Sequence, residues 1–340
     1  MTEPRRAIVA SWERGGWIPR VLAPLGWAYS AVMRVRNVAY DLGIARSHAL
    51  PSPAISVGNL TVGGTGKTPV SAWVAQQLQA RGARPAILLR GYGDDEPLVH
   101  QRLTPGAIVI ADPDRVAGAR RAVAAGATVL VLDDAFQHRR ARRDADLVLL
   151  AAEQGIPARV LPAGPLREPV SGLCRAAVLV VTRKGTGRSE AERLAEAWRR
   201  AAPGVPAVVL HLQPAGLVPV GGAAAAAEAL PALAGTRVLA VSAIGAPGAF
   251  EAQLRAAGAI VEGMAFPDHH PFSAVDVAAI TARAAGAARV VCTLKDAVKL
   301  EALWTPQAPP LWYLSQTVDV EQGGEVLDDL FDRLVGRRSP

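Results

Sequence analysis

The stretch Gly63-Gly64-Thr65-Gly66-Lys67-Thr68 follows the short apolar run Ala54–Val57 and precedes the helical pattern Pro69–Ala80. A glycine-rich turn between a strand and a helix arranges backbone N–H groups around phosphate oxygens, at the positive end of the helix. In such a loop Lys67 would reach the β- and γ-phosphates of a nucleotide, and the Thr68 hydroxyl would ligate Mg²⁺. The stretch therefore predicts a P-loop that holds a nucleoside triphosphate and Mg²⁺. One position departs from the usual motif, because Thr61 stands five residues before Gly66, where a glycine is usual.

Short apolar runs alternate with helical stretches throughout the chain. Apolar runs without polar alternation, separated by helices, are typical of parallel strands covered on both faces. The runs predicted as strands of a first domain are Ala54–Val57, Ala86–Leu89, Ala107–Ile110, Thr128–Leu132, Leu147–Ala151 and Val178–Val181. The second set is Ala207–Leu212, Arg237–Val241, Ala259–Val261 and Arg289–Thr293. The pattern predicts an α/β fold, with a P-loop kinase-like parallel sheet domain and a second, smaller α/β domain.

A Pro- and Gly-rich break, Pro162–Pro169, interrupts this alternation and is a candidate hinge. We therefore place the P-loop domain at residues 51–170, the smaller domain at residues 171–335 and the hinge near residues 162–175.

The first 50 residues differ in composition from the rest. Apolar side chains recur at helical spacing from Val21 to Leu42, with arginines among them and Trp12, Trp17 and Trp27 nearby. Aromatic rings and guanidinium groups on an amphipathic helix suit a lipid headgroup layer. We predict that residues 1–50 form a membrane-associating helix; a helix that packs on its own domain is the alternative.

Acidic side chains end the run Val129–Leu132, as Asp133 and Asp134. An apolar strand that ends in a carboxylate is the usual partner of a P-loop, because the carboxylate holds or positions Mg²⁺. His138 follows closely and is a candidate contact to substrate or phosphate, with a structural histidine as the alternative.

Further polar clusters lie in loops. Asp95 belongs to an acidic triplet after a predicted strand, where the loops of a parallel sheet line the ligand crevice. His269 is flanked by Asp268 and His270, and a histidine beside a carboxylate can act as an oriented base. Arg167 and Glu168 lie between prolines and can clamp phosphate and metal, or form an internal ion pair. Lys295, beside Asp296, is a candidate substrate cation or the partner of Asp296 alone.

Composition narrows the function classes. The chain has 340 residues, enough for two domains, and a formal net charge of +7. That charge suits an anionic membrane, a phosphorylated substrate or nucleic acid, or simply reflects a chain rich in Ala and Arg. Without an aromatic-rich basic segment we predict no nucleic-acid partner, and no obligate protein partner is evident. Cys174 and Cys292 lack metal or disulfide spacing and are predicted to be reduced.

Together these motifs resemble the tetraacyldisaccharide 4′-kinase family of lipid A biosynthesis, over about residues 15–332. The stretches that carry the resemblance are Ile55–Pro69, Arg90–Gly93, Asp95–Leu98, Asp112–Arg115, Leu132–His138, Leu161–Pro169, Phe266–His270 with Phe272, and Lys295–Lys299. The resemblance implies two α/β/α domains joined by a hinge, with the active site between them. It also implies that the helix lies on the cytoplasmic face of the bacterial inner membrane, as a peripheral or monotopic anchor.

The reaction that the resemblance implies moves the γ-phosphate of ATP to the 4′-hydroxyl of a tetraacyldisaccharide 1-phosphate, giving lipid IVA. The nucleotide would be held by Gly63–Thr68, and Lys67 would also serve catalysis. Asp95 with His269 resembles the catalytic dyad, in which the acid draws the proton from the sugar hydroxyl. The implied metal-side residues are Thr68, Asp133, Asp134 and Glu168, and we predict substrate contacts at Asn59, Arg90, His138 and Arg167.

Two departures from the family pattern remain. The loop between the Arg90–Gly93 turn and Asp95 is shorter than usual, so both Asp94 and Asp95 stay open as the base. Ala135 stands where Gly is usual, so the turn is expected to be built differently from a positive-φ glycine turn.

Three rival classes share the P-loop. A membrane-surface ATPase switch without kinase activity is the main alternative, but its deviant loop carries a lysine where Val62 stands here. A GTPase needs an Asn/Thr-Lys-x-Asp base reader, and Lys295 lies one residue late for it. A nucleic-acid-dependent ATPase rests on net charge alone.

Overall fold

The structure is a computed structural model and describes Trp12 and residues 16–91, 95–221, 226–305 and 307–336. The chain forms two compact units. The large unit comprises the chain up to Leu212 and again from Val318 onward, and the small unit is Gln213–Thr317.

Helices and strands alternate in both units. The strands are β1 (His48–Ala49), β2 (Ala54–Asn59), β3 (Pro85–Leu89), β4 (Ile108–Ala111), β5 (Val129–Asp133), β6 (Ala141–Arg142), β7 (Ala145–Ala151), β8 (Val178–Arg183), β9 (Ala207–Pro219), β10 (Glu228–Ala229), β11 (Arg237–Ser242), β12 (Ile260–Ala265), β13 (Arg289–Cys292) and β14 (Leu311–Gln322). The α-helices are α1 (Ile18–Val21), α2 (Ala23–Asp41), α3 (Lys67–Ala80), α4 (Asp95–Leu103), α5 (Arg115–Ala124), α6 (Arg188–Ala201), α7 (Pro247–Ala256), α8 (Ala274–Arg283), α9 (Leu294–Leu300) and α10 (Gly324–Gly336).

A parallel sheet forms the centre of the large unit, in the strand order β9-β8-β7-β2-β5-β3-β4. Every residue of β2 and β5 is buried, because helices and loops cover both faces of the sheet. Strand β2 runs into the P-loop, and its neighbour β5 ends at Asp133, with Val57 opposite Asp133 in the register. The sheet thus delivers the glycine-rich turn and the acidic pair to the same edge, and the α/β fold prediction is confirmed.

The boundary between the units differs from the one we placed near residue 171. Strand β8 pairs with β7, and the start of β9 pairs with β8, with Ala207 opposite Leu179. The run Ala207–Leu212, expected in the smaller domain, therefore extends the sheet of the large unit. The units divide after Leu212 and again after Thr317.

The last helix also belongs to the large unit rather than to the smaller domain. Phe331 of α10 is fully buried and meets Trp73 of α3 edge-on, with ring centroids 5.7 Å apart. Arg81 forms ion pairs with Asp328 and Asp332 of α10, at 2.5 and 2.8 Å. The C-terminal helix thus covers the face of the sheet on which α3 lies.

The small unit contains a stretch of parallel sheet, in the strand order β12-β11-β13-β14. Apolar side chains fill both of its faces, including Leu239, Val290 and Ile280 on one and Val238, Val291 and Leu254 on the other. Strand β14, which borders this sheet at Leu311–Tyr313, was missing from the strands predicted above.

The N-terminal helices α1 and α2 leave an apolar surface exposed, as the amphipathic pattern predicts. Large apolar side chains of this segment that are at least half exposed are Trp17, Val21, Leu25, Trp27, Val32, Val35, Val38, Leu42 and Ile44. In α2 only Gly26 is buried, and a Cβ there would lie 3.2 Å from Ala163 Cβ. Among the residues described, no helix combines the length with the apolar character that a membrane crossing requires.

Candidate active site

The P-loop turn is shaped by Gly66, the residue before α3. Gly66 has a φ of 84°, in the left-handed region, and a Cβ at this position would collide with the side chain of Leu212. Glycine is therefore required for both conformation and space. The turn aims the first N–H groups of α3, from Lys67 and Thr68 onward, at the space where a phosphate would bind.

Side chains from β2, from β8 and from Lys184 brace this turn. Asn59 at the end of β2 donates from Nδ2 to Oγ1 of Thr65 at 3.0 Å, and Thr182 of β8 donates to the Thr65 carbonyl at 2.9 Å. Lys184 donates from Nζ to the carbonyl of Gly64 at 3.2 Å. These bonds fix the backbone that would surround the phosphates.

The departure at Thr61 is part of the same bracing. Thr61 is buried, and its hydroxyl donates to Oε1 of Gln154 at 2.6 Å, while Nε2 of Gln154 donates to the Val62 carbonyl at 3.2 Å. Thr61 also forms a bridge with Leu166, inside the proline-rich stretch. That stretch, predicted to be a hinge, is instead paired along the P-loop within the large unit.

The two carboxylates at the end of β5 have different surroundings. Asp133 is buried, with Oδ1 accepting from Ser71 at 2.8 Å and Oδ2 lying 3.3 Å from His100 Nε2. Burial raises the pKa of Asp133, but the hydrogen bonds from His100 and Ser71 and the charge of Lys67 outweigh it, so the net shift is downward. Because both of its oxygens are engaged, Asp133 fits the role of an anchor for α3 and α4 better than that of the direct metal ligand.

Asp134 is the carboxylate that faces the P-loop. Its Oδ1 lies 3.8 Å from Lys67 Nζ and accepts from Arg167 Nη1 at 2.8 Å. Asp134 has a φ of 48°, a left-handed conformation that costs a non-glycine residue about 1–3 kcal/mol. The positive φ thus falls on Asp134, while Ala135, where glycine was expected, is buried with no such conformation.

The residues around Asp134 fit Mg²⁺. Carboxylate and hydroxyl oxygens, from Asp134 and Thr68, are the hard donors that this cation prefers. Mg²⁺ bound there would neutralise the charge of the phosphates during transfer.

Glu168, predicted as a metal-side residue, lies in a hydrogen-bond hub and not at an open position. Its carboxylate is fully buried and accepts from Arg175 Nη2 on both oxygens, at 3.0 and 2.9 Å. Gln137 Nε2 and Asn37 Nδ2 each donate to it at 3.0 Å. Since Gln137 Nε2 also donates to the Asn59 carbonyl at 3.0 Å, Glu168 connects helix α2 to the strand that enters the P-loop.

Further bonds attach the polar side of α2 to the large unit. Tyr29 donates to the carbonyl of Arg167 at 2.7 Å, and Arg36 donates to the carbonyl of Gln137 at 2.6 Å. Arg139 donates to the Asn37 carbonyl at 2.9 Å. The helix thus packs on its own unit through one side while its apolar side stays exposed.

The predicted substrate contacts fall into different places. Asn59 is fully buried and braces Thr65, a different task from the predicted substrate contact. Arg167 borders Asp134, and Arg90 is exposed at the end of β3. Their contacts to a substrate phosphate stay predictions.

His138 lies among arginines. Burial lowers the pKa of His138 to about 4, helped by the positive charges of Arg115, Arg143, Arg90 and Arg140. The ring is therefore neutral near pH 7, and its Nε2 has no hydrogen-bond partner among the residues described. A neutral imidazole among guanidinium groups suits a contact to an anionic ligand.

The two predicted dyad residues lie in different units. Asp95 begins α4 in the large unit and is 9% exposed, while Tyr92, Gly93 and Asp94 lie outside the described residues. His269 lies in the small unit, after β12, with its side chain 61% exposed. Sequence reasoning missed Ser71, His100 and Gln137 as supporting residues, because their partners lie far away in the chain and no spacing signals them.

The parallel sheet, the glycine turn and the adjacent acidic pair define a P-loop nucleotide-binding protein of the phosphate-transferring kind. The family model described as Tetraacyldisaccharide-1-P 4′-kinase matches residues 18–96 and 93–335. The chain belongs to this family and is an ATP-dependent kinase that uses Mg²⁺.

Relatives match over most of their length. The Tetraacyldisaccharide 4′-kinase of Anaeromyxobacter dehalogenans (strain 2CP-C) is 38% identical, over 88% of this chain and 86% of the relative. That of Halorhodospira halophila is 38% identical, over 93% of each chain. Among solved structures, the "apo" form of LpxK from Aquifex aeolicus in complex with ATP has a TM-score of 0.74 at 29% identity, covering 93% of this chain and 99% of that one.

Proposed function

We propose that the chain transfers the γ-phosphate of ATP to the 4′-hydroxyl of a tetraacyldisaccharide 1-phosphate, giving lipid IVA. The observation that carries the proposal is the braced P-loop with Lys67 Nζ 3.8 Å from Asp134 Oδ1, in a chain of this family. Phosphoryl transfer depends on positioning and charge neutralisation more than on covalent chemistry, and this arrangement supplies both.

Each side chain has a defined task in this proposal. Lys67 and the N–H groups of Gly63–Thr68 hold the triphosphate, and Thr68 and Asp134 hold Mg²⁺. Arg167 is paired with Asp134 in this structure. When Mg²⁺ binds that carboxylate, Arg167 would be released to bind the transferred phosphate. Asp133 keeps α3 and α4 in place through Ser71 and His100.

We propose Asp95 as the base that takes the proton of the acceptor hydroxyl, and His269 as the imidazole that assists it. Asp95 is nearly buried at the first turn of α4, where the position of a carboxylate is well defined. A general base typically contributes ~10²–10⁴-fold to the rate.

The acyl chains of the lipid acceptor account for the exposed apolar side of helix α2. Acyl chains leave a bilayer only at a cost of about 0.8 kcal/mol per CH₂, so the enzyme must come to the lipid. The exposed apolar side of α2 would enter the interface while its polar side stays bonded to Gln137 and Glu168. We place the protein on the cytoplasmic face of the inner membrane, as a peripheral or monotopic protein, where ATP is available.

The test is transfer of labelled γ-phosphate from ATP to the tetraacyldisaccharide 1-phosphate in mixed micelles, with free phosphate release measured in parallel. We expect labelled lipid from the wild-type chain and none from Lys67→Ala. Release of free phosphate without labelled lipid would support the ATPase switch instead. Full transfer by Lys67→Ala would contradict the role of the P-loop.

A further inference from the structure

Helix α9 of the small unit carries a charged motif, Lys295–Lys299, that the nucleotide chemistry does not use. Asp296 in this motif is fully buried. Its Oδ2 accepts hydrogen bonds from the backbone N–H of Ala243, at 3.1 Å, and from the Thr293 hydroxyl, at 2.6 Å. A buried carboxylate is costly unless it is bonded, so its partners show what it holds in place. Here the longer-range partner is the segment that follows β11.

That segment holds the loop of His269. The carbonyl of Ala243 accepts the backbone N–H of His269 at 3.1 Å, so one residue receives the bond from His269 and donates to Asp296. The loop begins at Phe266, whose backbone N–H donates to the Ser242 carbonyl at 2.8 Å. Asp296 is therefore connected to the backbone of His269 through a single residue, Ala243.

Lys299 holds the same loop from its other side. Its Nζ donates to the carbonyl of His270 at 3.2 Å and lies 3.6 Å from Asp296 Oδ1. The ammonium group also lies over the ring of Phe272, 5.4 Å from the centroid. One turn of α9 thus bonds directly to the His270 carbonyl and, through Ala243, to the backbone N–H of His269.

The two histidines of the loop are held differently. His270 Nε2 lies 3.2 Å from Oδ2 of Asp276, and its ring stacks on Phe266 with centroids 5.0 Å apart. His269 has a φ of 61° and an exposed ring. A non-glycine residue keeps this conformation only where the surroundings enforce it. His270 serves as the anchor, and the enforced turn directs the His269 ring outward.

We propose that Asp296 and Lys299 are positioning residues that enforce this turn and so set the direction of the His269 imidazole. The inference rests on the role of His269 in the proposed function. It gives the Lys295–Lys299 motif a task that requires no contact with nucleotide or lipid.

The experiment compares Lys299→Met, His269→Ala and the double variant in the labelled-phosphate assay, with Arg255→Met as the control. Arg255 is a matched choice because it also pairs with a carboxylate on its own helix, Glu251, but on the surface. We expect Lys299→Met to lower kcat about tenfold with KM for ATP unchanged, since small misplacement of a catalytic group is costly. Lys299→Arg, which keeps a donor for the His270 carbonyl, should restore most of kcat.

The double variant separates positioning from direct contact. If Lys299 acts through His269, the double variant is no slower than His269→Ala alone. Losses that multiply, or a wild-type kcat for Lys299→Met beside an impaired His269→Ala, would overturn this inference and leave the proposed function intact. A wild-type kcat for His269→Ala would overturn the role of His269 itself, and the inference with it.

Thermal unfolding of each variant, read by circular dichroism, checks that the fold is intact. Should Lys299→Met unfold, the milder Lys299→Gln takes its place in the same cycle, with the same expected result.

Discussion

The amide of Asn59 donates to the hydroxyl of Thr65 across 3.0 Å, both side chains being almost fully buried. The strand that leads into the P-loop is thereby bonded to the tip of the loop that it precedes. A glycine-rich turn is intrinsically mobile, so a bond of this kind lowers the entropy lost when phosphate binds.

Replacing Asn59 with Ala should weaken ATP binding about two- to tenfold, since a net hydrogen bond contributes about 0.5–1.5 kcal/mol. Calorimetric titration with ATP and Mg²⁺ measures the change. Ser52→Ala is the control, because Ser52 also loses one hydrogen bond, to the Thr128 carbonyl at 2.7 Å, outside the loop. Equal weakening by both variants would mean that the effect is general destabilisation.

The environment of His138 predicts a pH-dependent stability. Its pKa is lowered from 6.5 to about 4 in the folded chain by burial and by nearby arginines. Between these values the unfolded chain binds a proton that the folded chain does not, so the free energy of unfolding falls as the pH drops from 6.5 to 4. His138→Gln should flatten this dependence in urea unfolding measured across the window. An unchanged slope in the variant would show that other groups dominate.

The hub around Glu168 predicts a loss of stability without a change in metal requirement. Glu168→Gln should destabilise the fold by about 3 kcal/mol, because it leaves Arg175 without its carboxylate partner. The Mg²⁺ concentration for half-maximal activity should stay at the wild-type value. In Asp134→Asn that concentration should rise, because a metal ligand loses its charge. A raised Mg²⁺ requirement in Glu168→Gln would restore Glu168 as a ligand.

The parts of the fold that the sequence predicted are those with local signals. The runs behind β2, β3, β5 and β7 are largely apolar and buried, and the turn after β2 requires glycine at position 66. Strand β14 was missed although its first four residues, Leu311–Leu314, are apolar and buried; its second half is mostly polar and partly exposed. The unit boundary was misplaced because it depends on which strands pair, a long-range property.

The same distinction between local signals and long-range contacts applies to the residues of the candidate active site. Lys67, Thr68 and Asp134 could be predicted because motif spacing carries their chemistry. Asn59 and Glu168 were predicted to contact substrate and metal. Their partners in the fold become visible only when the chain is folded: Thr65 for Asn59, and Arg175, Gln137 and Asn37 for Glu168.

The apolar side of α2 predicts binding to lipid surfaces. Val32→Glu with Val35→Glu, at positions 64% and 70% exposed, should lower partition onto phospholipid vesicles at least tenfold, since burying each Val is worth about 1.5 kcal/mol or more. Co-sedimentation with vesicles measures it. Val275→Glu, a similar change at a position 78% exposed on the small unit, should leave partition unchanged. Wild-type sedimentation of the double variant would locate the lipid contact elsewhere.

Asp95 provides the sharpest test of the proton transfer. Asp95→Asn keeps the size of the side chain at the start of α4 but removes its basicity, so kcat should fall by ~10²–10⁴-fold. ATP affinity should change little, because the P-loop side chains that hold the phosphates are untouched. Single-turnover transfer of labelled phosphate, with ATP binding measured separately, resolves the two effects. Asp94→Asn is assayed beside it, since the short loop leaves both carboxylates open by sequence. A large loss in Asp94→Asn with normal turnover in Asp95→Asn would move the base by one residue, whereas normal turnover in both would mean that neither carboxylate accepts the proton.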